Sequence, residues 1–394
     1  MFYINKNTQF CYNIIRESYM NKSKINFRIL IPIILLSIVS IATINSAMTY
    51  TSSSLGNLVL KQSFWYLIGW ILVIILVKLK NEQLYHYTWF FYIFGNFLLL
   101  GLLLFAPTIN NSKCWFVIPG IGNFQPSEFM KIFIMLTLAT MIHNFRIDYN
   151  YPSIKDEFIF IIKTLIIVII PSVLTFLQPD TGAVIIYLVI YISMIFTSGI
   201  RFRWFLIGGL FILLVSSIFL WLFFFKENIF INIFGSSIFY RIERIFNWQS
   251  GSGLQLENAL SAIGSAGLFG HGYNKTPIYF PESSTDFIFA VFACNFGLIG
   301  SLILISIIIF LDISIILLAK KNILDTDKYI ISGIIGMLLF QQIQNIGMTV
   351  GLLPITGITL PFVSYGGSSL LSYMLIVGIL LNISVKKKTS YKYK

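Results

Sequence analysis

The sequence predicts an all-α protein that crosses a bilayer about ten times and carries a large extracytoplasmic loop between its seventh and eighth helices. Three observations predict it. Hydrophobic residues make up 57% of the 394-residue chain and charged residues only 11%, with a mean hydropathy of +0.84, whereas a soluble domain carries roughly 25% charged residues. Apolar runs approaching the roughly 20 residues that a membrane helix needs recur along the whole chain. Basic residues outnumber acidic ones 27 to 15, but they fall in short clusters between those runs. That placement reports membrane topology and argues against a nucleic-acid partner.

Taken in order, the qualifying runs are 27–44, 64–79, 87–105, 124–145, 158–177, 183–198, 204–225, 296–319, 329–350 and 366–384. The first starts at Phe27 with Arg28 inside it and no small-residue cleavage pattern, so it is expected to stay in the mature protein. Alternate loops then divide the basic residues unequally: nineteen Lys and Arg fall on one side and six on the other, with Lys131 and Lys163 inside spans. The positive-inside rule makes the richer side cytoplasmic. The expected organisation is a cytoplasmic tail over 1–26, a ten-helix membrane domain over 27–385 with its large outer loop at 226–286, and a basic cytoplasmic tail over 386–394. The outer side holds the three informative segments, 106–123, 226–285 and 351–367, so function is expected there. Cys11, Cys114 and Cys294 fit no paired or metal-ligand spacing and predict neither a disulfide nor a zinc site.

Charge at membrane depth costs about 2.5 to 3.5 kcal/mol on insertion scales and calls for a reason. Glu128 and Lys131 share a helix face at i and i+3, either as a self-neutralising pair that orients its helix or as part of a polar cavity. Gln341, Gln344 and Asn345 place amides on neighbouring turns of the ninth span, where interhelical hydrogen bonds are expected. Asp180, after Gln178-Pro179 and before Thr181-Gly182, reads as an N-cap for the sixth span. Asp312 lies inside the eighth span with no basic residue within a turn and needs a partner on another helix. Asp286 joins the outer loop to the apolar Phe287-Ile288-Phe289; such a carboxylate is partly desolvated, which suits a general base, and an N-cap is the alternative. Arg241 and Arg244, with Lys113 in the other outer loop, offer cations either to lipid headgroups or to a pyrophosphate. The segment from Gly351 to Ser369 is apolar yet too rich in Gly and Pro for continuous helix, and irregular backbone at that depth must be covered by protein or line a cavity.

Together these segments resemble the SEDS family (shape, elongation, division and sporulation), polytopic peptidoglycan glycosyltransferases typified by RodA and FtsW, over nearly the whole chain. The matching motifs are Phe124-Gln125-Pro126-Ser127-Glu128 with Lys131, Gln178-Pro179-Asp180-Thr181-Gly182, Ala262-Ile263-Gly264-Ser265 with Gly267, Gly270 and Gly272, Pro281-Glu282 through Ala290, and Leu360-Pro361 through Ser369. Asn345-Ile346-Gly347-Met348 looks more like the RodA branch. The resemblance implies that Asp286 is the essential aspartate of the large loop and that Glu128 and Lys131 belong to the central cavity, with Asp180, Asn345, Ser364 and Ser368 counted among its polar groups. The sequence departs from the family pattern at Ser284 (usually His), Cys114 (Arg), Cys294-Asn295-Phe296 (Glu-Glu-Leu), Asn258-Ala259 (Gln-Ser) and His271 (Lys).

What the resemblance implies is an inverting glycosyltransferase of the bacterial cytoplasmic membrane that polymerises lipid II into glycan strands during elongation. Countercharge for the leaving pyrophosphate would come from a divalent cation, Mg2+ or Mn2+, or from Lys113, Lys131, Arg241 and Arg244; no organic cofactor is expected. The implied partners are a class B penicillin-binding protein and other membrane proteins of the elongation complex. Two rivals stand beside this reading: a flippase for the same lipid, and a scaffold for a transpeptidase that has lost catalysis at the altered positions. The charge asymmetry generates a test of its own. Single cysteines placed in both tails and in the loop 320–328 are expected to react only with reagents that reach the cytoplasm, and outward labelling of any one breaks the ten-span topology.

Overall fold

The computed structural model describes residues 26–48, 57–79, 81–109, 112–118, 122–236, 239–240, 242–243, 254–321 and 324–385. Most of both predicted tails, including the cluster 386–394, and the arginines 241 and 244 lie outside the described residues. Among those described there are thirteen helices and one two-stranded hairpin. The first four helices are α1 (Phe27–Ala47), α2 (Leu58–Lys78), the short α3 (Asn81–His86) and α4 (Thr88–Phe105). The hairpin of β1 (Phe116–Ile118) and β2 (Gly122–Phe124) leads into α5 (Pro126–Asp148), α6 (Ile154–Leu177), α7 (Thr181–Thr197) and α8 (Arg203–Phe225). The short α9 (Glu227–Phe234) and α10 (Leu254–Ser265) precede α11 (Ile288–Ala319), α12 (Asp325–Thr349) and α13 (Gly367–Val385).

Local chemistry starts several of these helices. Asn26 and Asn57 accept the backbone N–H of Arg28 and Leu60 at the entrances of α1 and α2. Pro126 occupies the first turn of α5, where its missing N–H costs nothing. Ser153 and Asp156 form a reciprocal capping box on α6. Asp180 caps α7 by accepting from Ala183 N at 3.1 Å, as the sequence predicts.

Nine of the described helices are long and apolar enough to cross a membrane, and α7, with 17 residues, is the shorter tenth that the sequence adds. At about 1.5 Å per residue α7 reaches about 25 Å, near the lower limit for a span. The bundle is tightest where α13 packs on α2, α12 on α7 and α11 on α1. By contrast, α8 buries only Phe223, which packs with Phe230 and Phe239 in a small aromatic cluster away from the main core.

Two places break the helical regularity. The chain between α12 and α13 runs irregularly over 350–366, and side chains from three helices take up its polar groups. Ser40 donates to Val363 O at 2.7 Å and Tyr66 to Phe362 O. Gln62 donates to Ser364 O and accepts from Gly366 N, both at 3.3 Å, and Gln344 donates to Pro354 O at 2.8 Å. The second break lies inside α11, which begins at Ile288 rather than at 296 and is interrupted at Gly297 (φ 64°, ψ −161°). There the preceding loop inserts its own backbone: His271 N and Gly272 N donate to Cys294 O and Asn295 O, both at 3.0 Å, while Leu298 N and Ile299 N donate to Gly267 O and Leu268 O, both at 3.1 Å. The backbones approach so closely that a Cβ on Gly270 would lie 2.2 Å from Asn295 O.

That close approach yields a comparison. Gly267 (φ +58°) and Gly270 (φ +77°) are both left-handed, but a Cβ on Gly267 meets nothing within 4 Å. Gly267→Ala is therefore expected to cost about 1 to 2 kcal/mol from conformation alone, and Gly270→Ala roughly 4 kcal/mol or more because the latch must open. Thermal unfolding of the two variants in one detergent checks this, and equal shifts would show that the inserted loop does not hold α11.

Candidate active site

A cavity of about 640 Å³ opens at the bundle end that carries the hairpin, between α2, α5, α7, the 350–366 segment and the start of α13. Four carboxylates line it: Glu128, Asp180, Glu282 and Asp286. Charges of one sign in a confined space repel unless each is answered locally; three of the four are answered, each differently, and Asp286 is not.

Glu128 sits in the first turn of α5 and is paired with Lys131 at 2.6 Å, the two side chains being 13% and 1% exposed. Lys131 itself lies beneath the cavity rather than on its wall. Its ammonium stands 5.1 Å from the ring centre of Tyr373, whose hydroxyl accepts from Gln341 at 2.9 Å. The pair is thus an interior one, built into a polar layer between α5, α12 and α13. Asp180 is half-buried and accepts from Gln125 Nε2 at 2.9 Å and Ser127 Oγ at 3.1 Å as well as from Ala183 N. Burial raises its carboxyl above the ordinary value, and the Ala183 N–H acts in the opposite direction. Its capping role and its place on the cavity wall are both satisfied.

Glu282 accepts from Thr285 Oγ1 at 2.6 Å. Asp286 has no such neighbour: no donor among the described residues reaches its carboxylate, and α11 starts with Phe287 in the capping position without a side-chain cap bond. The N-cap alternative for Asp286 is therefore corrected. Burial pushes its carboxyl up to about 7, and the charge of Glu282 adds to the rise. The backbone around it is fixed. Asn345 Nδ2 donates to both Asp286 O and Ile358 O at 2.8 Å, tying the start of α11 to the irregular segment. Ser364 Oγ donates to Thr285 O at 2.7 Å, and Tyr365 N donates to Ser284 O at 2.9 Å.

Several expectations need correcting in detail. Asn345 and Ser364 do not line the cavity; they are buried and donate the Asn345 amide and the Ser364 hydroxyl to backbone carbonyls, because the irregular chain leaves carbonyls that water cannot reach. Ser368 does line it, accepting from Gln125 N at 2.9 Å and donating to Asn123 O at 3.2 Å. Lys113 turns its ammonium to Leu103 O at 3.4 Å and is absent from the wall. Cys114, where the resemblance leads one to expect Arg, is buried with its thiol donating to Gln178 O at 3.0 Å, and burial together with Asp180 pushes that thiol up to about 12. Asp312 finds its partner in Gln342 Nε2 at 3.2 Å.

The wall also contains residues that sequence reasoning left out: Lys61, Trp65, Trp115 and Tyr365. Lys61 is the one basic residue among the lining residues. Gln62 and Tyr66 are buried against the 362–366 backbone, which sets the rotation of α2 and brings Lys61 and Trp65, one turn apart, to the opening. The available signal was that pairing of i and i+4 positions beside a buried Gln.

The arrangement defines a class: a multi-pass helical membrane protein whose broken helices meet at a carboxylate-lined cavity at one end of the bundle. The FTSW_RODA_SPOVE family profile, described as that of a cell cycle protein, matches residues 24–389, and the chain belongs to that family, the SEDS proteins. Among its relatives, the probable peptidoglycan glycosyltransferase FtsW of Lactococcus lactis is 30% identical over 404 aligned positions, covering 94% of each chain. The protein of the same name from Bacillus subtilis is 35% identical over 305, covering 75% of this chain and 73% of its own. Two solved structures share the fold: a chain from a study of polymerization and crosslinking by a peptidoglycan synthase complex, with TM-score 0.73 and 23% identity, covering 91% of this chain and 97% of that one, and the rod shape determining protein RodA of Thermus thermophilus, with TM-score 0.65 and 24% identity, covering 91% and 96%.

The buried pair generates a stability test. Glu128→Leu or Lys131→Leu alone leaves one uncompensated interior charge and is expected to destabilise by about 3 to 5 kcal/mol, whereas the double replacement costs much less. Melting temperatures of the three variants decide it, and a double variant as unstable as the worse single one would show that the charges are not coupled.

Proposed function

We propose that this protein is a peptidoglycan glycosyltransferase that polymerises lipid II into glycan strands at the outer leaflet of the bacterial cytoplasmic membrane. The observation that carries this reading is Asp286, a half-buried carboxylate on the cavity wall, unneutralised by any described cation and pushed up to about 7. A general base works best when its pKa lies near the operating pH. The family relationship supplies the substrate class, since the relatives from Lactococcus lactis and Bacillus subtilis carry the name probable peptidoglycan glycosyltransferase.

In this mechanism the 4-hydroxyl of the acceptor's GlcNAc attacks the anomeric carbon of the lipid-linked MurNAc. The new C–O bond forms as the bond to the diphosphate breaks, with inversion, and Asp286 takes the hydroxyl proton. No carboxylate pair of the glycosidase kind is needed, because diphosphate is already a good leaving group. Asn345 and Ser364 hold the backbone on either side of Asp286 and so position it. The diphosphate needs countercharge, for which Lys61 on the wall is better placed than Lys113 or the paired Lys131. A divalent cation, Mg2+ or Mn2+, is compatible with the donor set. Among the described residues no cluster of three or more His, Cys, Asp or Glu could hold a metal alone, so it would be held mainly by phosphate oxygens with Glu282 as a protein ligand, leaving Asp286 free as the base. When bound, it would supply charge to the leaving group.

The proposal includes a topology with both ends cytoplasmic and the cavity outward, as the basic clusters indicate. It also includes a class B penicillin-binding protein as partner, in keeping with a similar fold in a peptidoglycan synthase complex, alongside other membrane proteins of the same machinery. Assignment to elongation rests on Asn345-Ile346-Gly347-Met348, while relatives named FtsW weigh toward division; the chemistry is common to both.

Purified protein given lipid II and Mg2+ is expected to make strands, and Asp286→Asn to fold and bind lipid II but lose about a hundredfold or more in rate. Equal rates would remove Asp286 from catalysis, loss of lipid II translocation instead would favour the flippase, and absence of strands from wild type would favour the scaffold. The pH dependence has a definite sign. The base is active as carboxylate, so kcat/KM should fall as pH drops below about 7 and level off above it; a profile flat from pH 5 to pH 8 would contradict this.

A further inference from the structure

At the bundle end opposite the cavity, the first turn of α6 and the connection between α7 and α8 bring two arginines, Arg201 and Arg203, around one carboxylate, and Arg146 at the C-terminus of α5 is hydrogen-bonded to the same connection. Glu157 is buried and already accepts from Trp204 Nε1 at 2.8 Å, with Arg201 Nε at 3.6 Å and Arg203 NH2 at 3.9 Å. Arg201 also donates to Pro152 O at 2.7 Å. Arg146 has no carboxylate partner among the described residues; its Nε donates to Ser198 O at 2.5 Å, and its NH2 packs where a Cβ on Gly199 would stand, 2.7 Å away. The other ionisable groups nearby do not complete the set. Asp156 is engaged by Ser153 in the capping box, Asp325 is paired with Lys328, and Asp148, His143, Lys155 and Tyr329 form no ion pair with the arginines.

Three guanidinium nitrogens in this cluster, Arg146 NH2 and Arg203 Nε and NH2, are buried and lack a hydrogen-bond acceptor among the described residues. A buried donor without an acceptor is unfavourable, and the guanidinium groups gathered at the connection after α7 offer forked donors that suit the several oxygens of a phosphate. The surroundings say which phosphate. Tyr149, Tyr151, Phe158 and Phe202 are 42%, 98%, 50% and 62% exposed around the cluster, and exposed aromatics at the ends of membrane helices mark the headgroup level of a bilayer.

We propose that Arg146 and Arg203, assisted by Arg201, bind the phosphate headgroup of an anionic phospholipid, a site separate from the cavity and independent of the reaction there. Glu157 competes with that headgroup for the arginines and sets its affinity.

The test uses full-length protein in detergent micelles, with retained lipid counted by native mass spectrometry during titration with phosphatidylglycerol, phosphatidylcholine or inorganic phosphate. The double variant Arg146→Gln/Arg203→Gln is expected to bind phosphatidylglycerol about tenfold or more weakly than wild type and phosphatidylcholine no differently. Because Arg146 also caps α7, a second variant carries the test if the first is unstable: Glu157→Gln keeps an acceptor for Trp204, removes the competing charge, and should bind phosphatidylglycerol more tightly. Unchanged or weaker binding in Glu157→Gln, or equal binding by the double variant at an unchanged melting temperature, overturns the site. Displacement of the lipid by inorganic phosphate at equal concentration overturns the lipid assignment in favour of a soluble anion.

Discussion

The side-chain amide of Asn345 holds together the two stretches of backbone that make the cavity. One nitrogen donates to Asp286 O, at the head of α11, and to Ile358 O, in the segment before α13, both at 2.8 Å. Neither carbonyl lies where a regular helix would satisfy it, and inside a membrane protein water is not available to do so. One side chain on the rigid α12 therefore sets the distance between the loop that carries the reactive carboxylate and the wall that faces it.

The same rule accounts for the rest of the polar interior. Ser40, Gln62 and Tyr66 on α1 and α2, Gln344 on α12 and Ser364 within the irregular segment all spend their hydrogen bonds on backbone. The loop 267–272 does likewise for the break at Gly297. What remains free after these obligations is a short list, and Asp286 and Lys61 are on it. The cavity is reactive where the chain has left groups unspent.

The sequence made the spans legible, because the cost of exposing polar backbone to lipid forces long apolar runs, and all ten runs correspond to helices. Glu128, Asp180 and Asp286 stood out for a related reason: a carboxylate beside apolar helix needs an explanation, and all three line the cavity. Asn345 and Ser364 were read as cavity groups because composition cannot reveal which carbonyls a fold will leave orphaned. Lys61 was counted only as a charge for topology; its place on the wall depends on the rotation of α2, which the burial of Gln62 and Tyr66 decides. The hairpin at 116–124 and the early start of α11 escaped for lack of length and because Cys294-Asn295 interrupts the apolar pattern. Arg146 and Arg203 were likewise taken as topology signals, since their unpartnered nitrogens exist only in three dimensions.

Helix α8 is the opposite case from α12. With a single buried residue, Phe223, and contacts confined to Arg203, Trp204 and Phe205 at its start and the aromatic cluster at its end, its middle is constrained by solvent rather than by neighbours. Exchanges among Phe, Ile, Leu and Val along that middle stretch alter no packing among the described residues, so purifying selection has little to see there beyond hydrophobicity itself. Its Phe- and Leu-rich sequence, ending Trp221-Leu222-Phe223-Phe224-Phe225, can record the mutational bias of the genome more faithfully than the demands of the fold. Across lineages this segment should accumulate substitutions fastest, while Asn345 and Gly270 stay put.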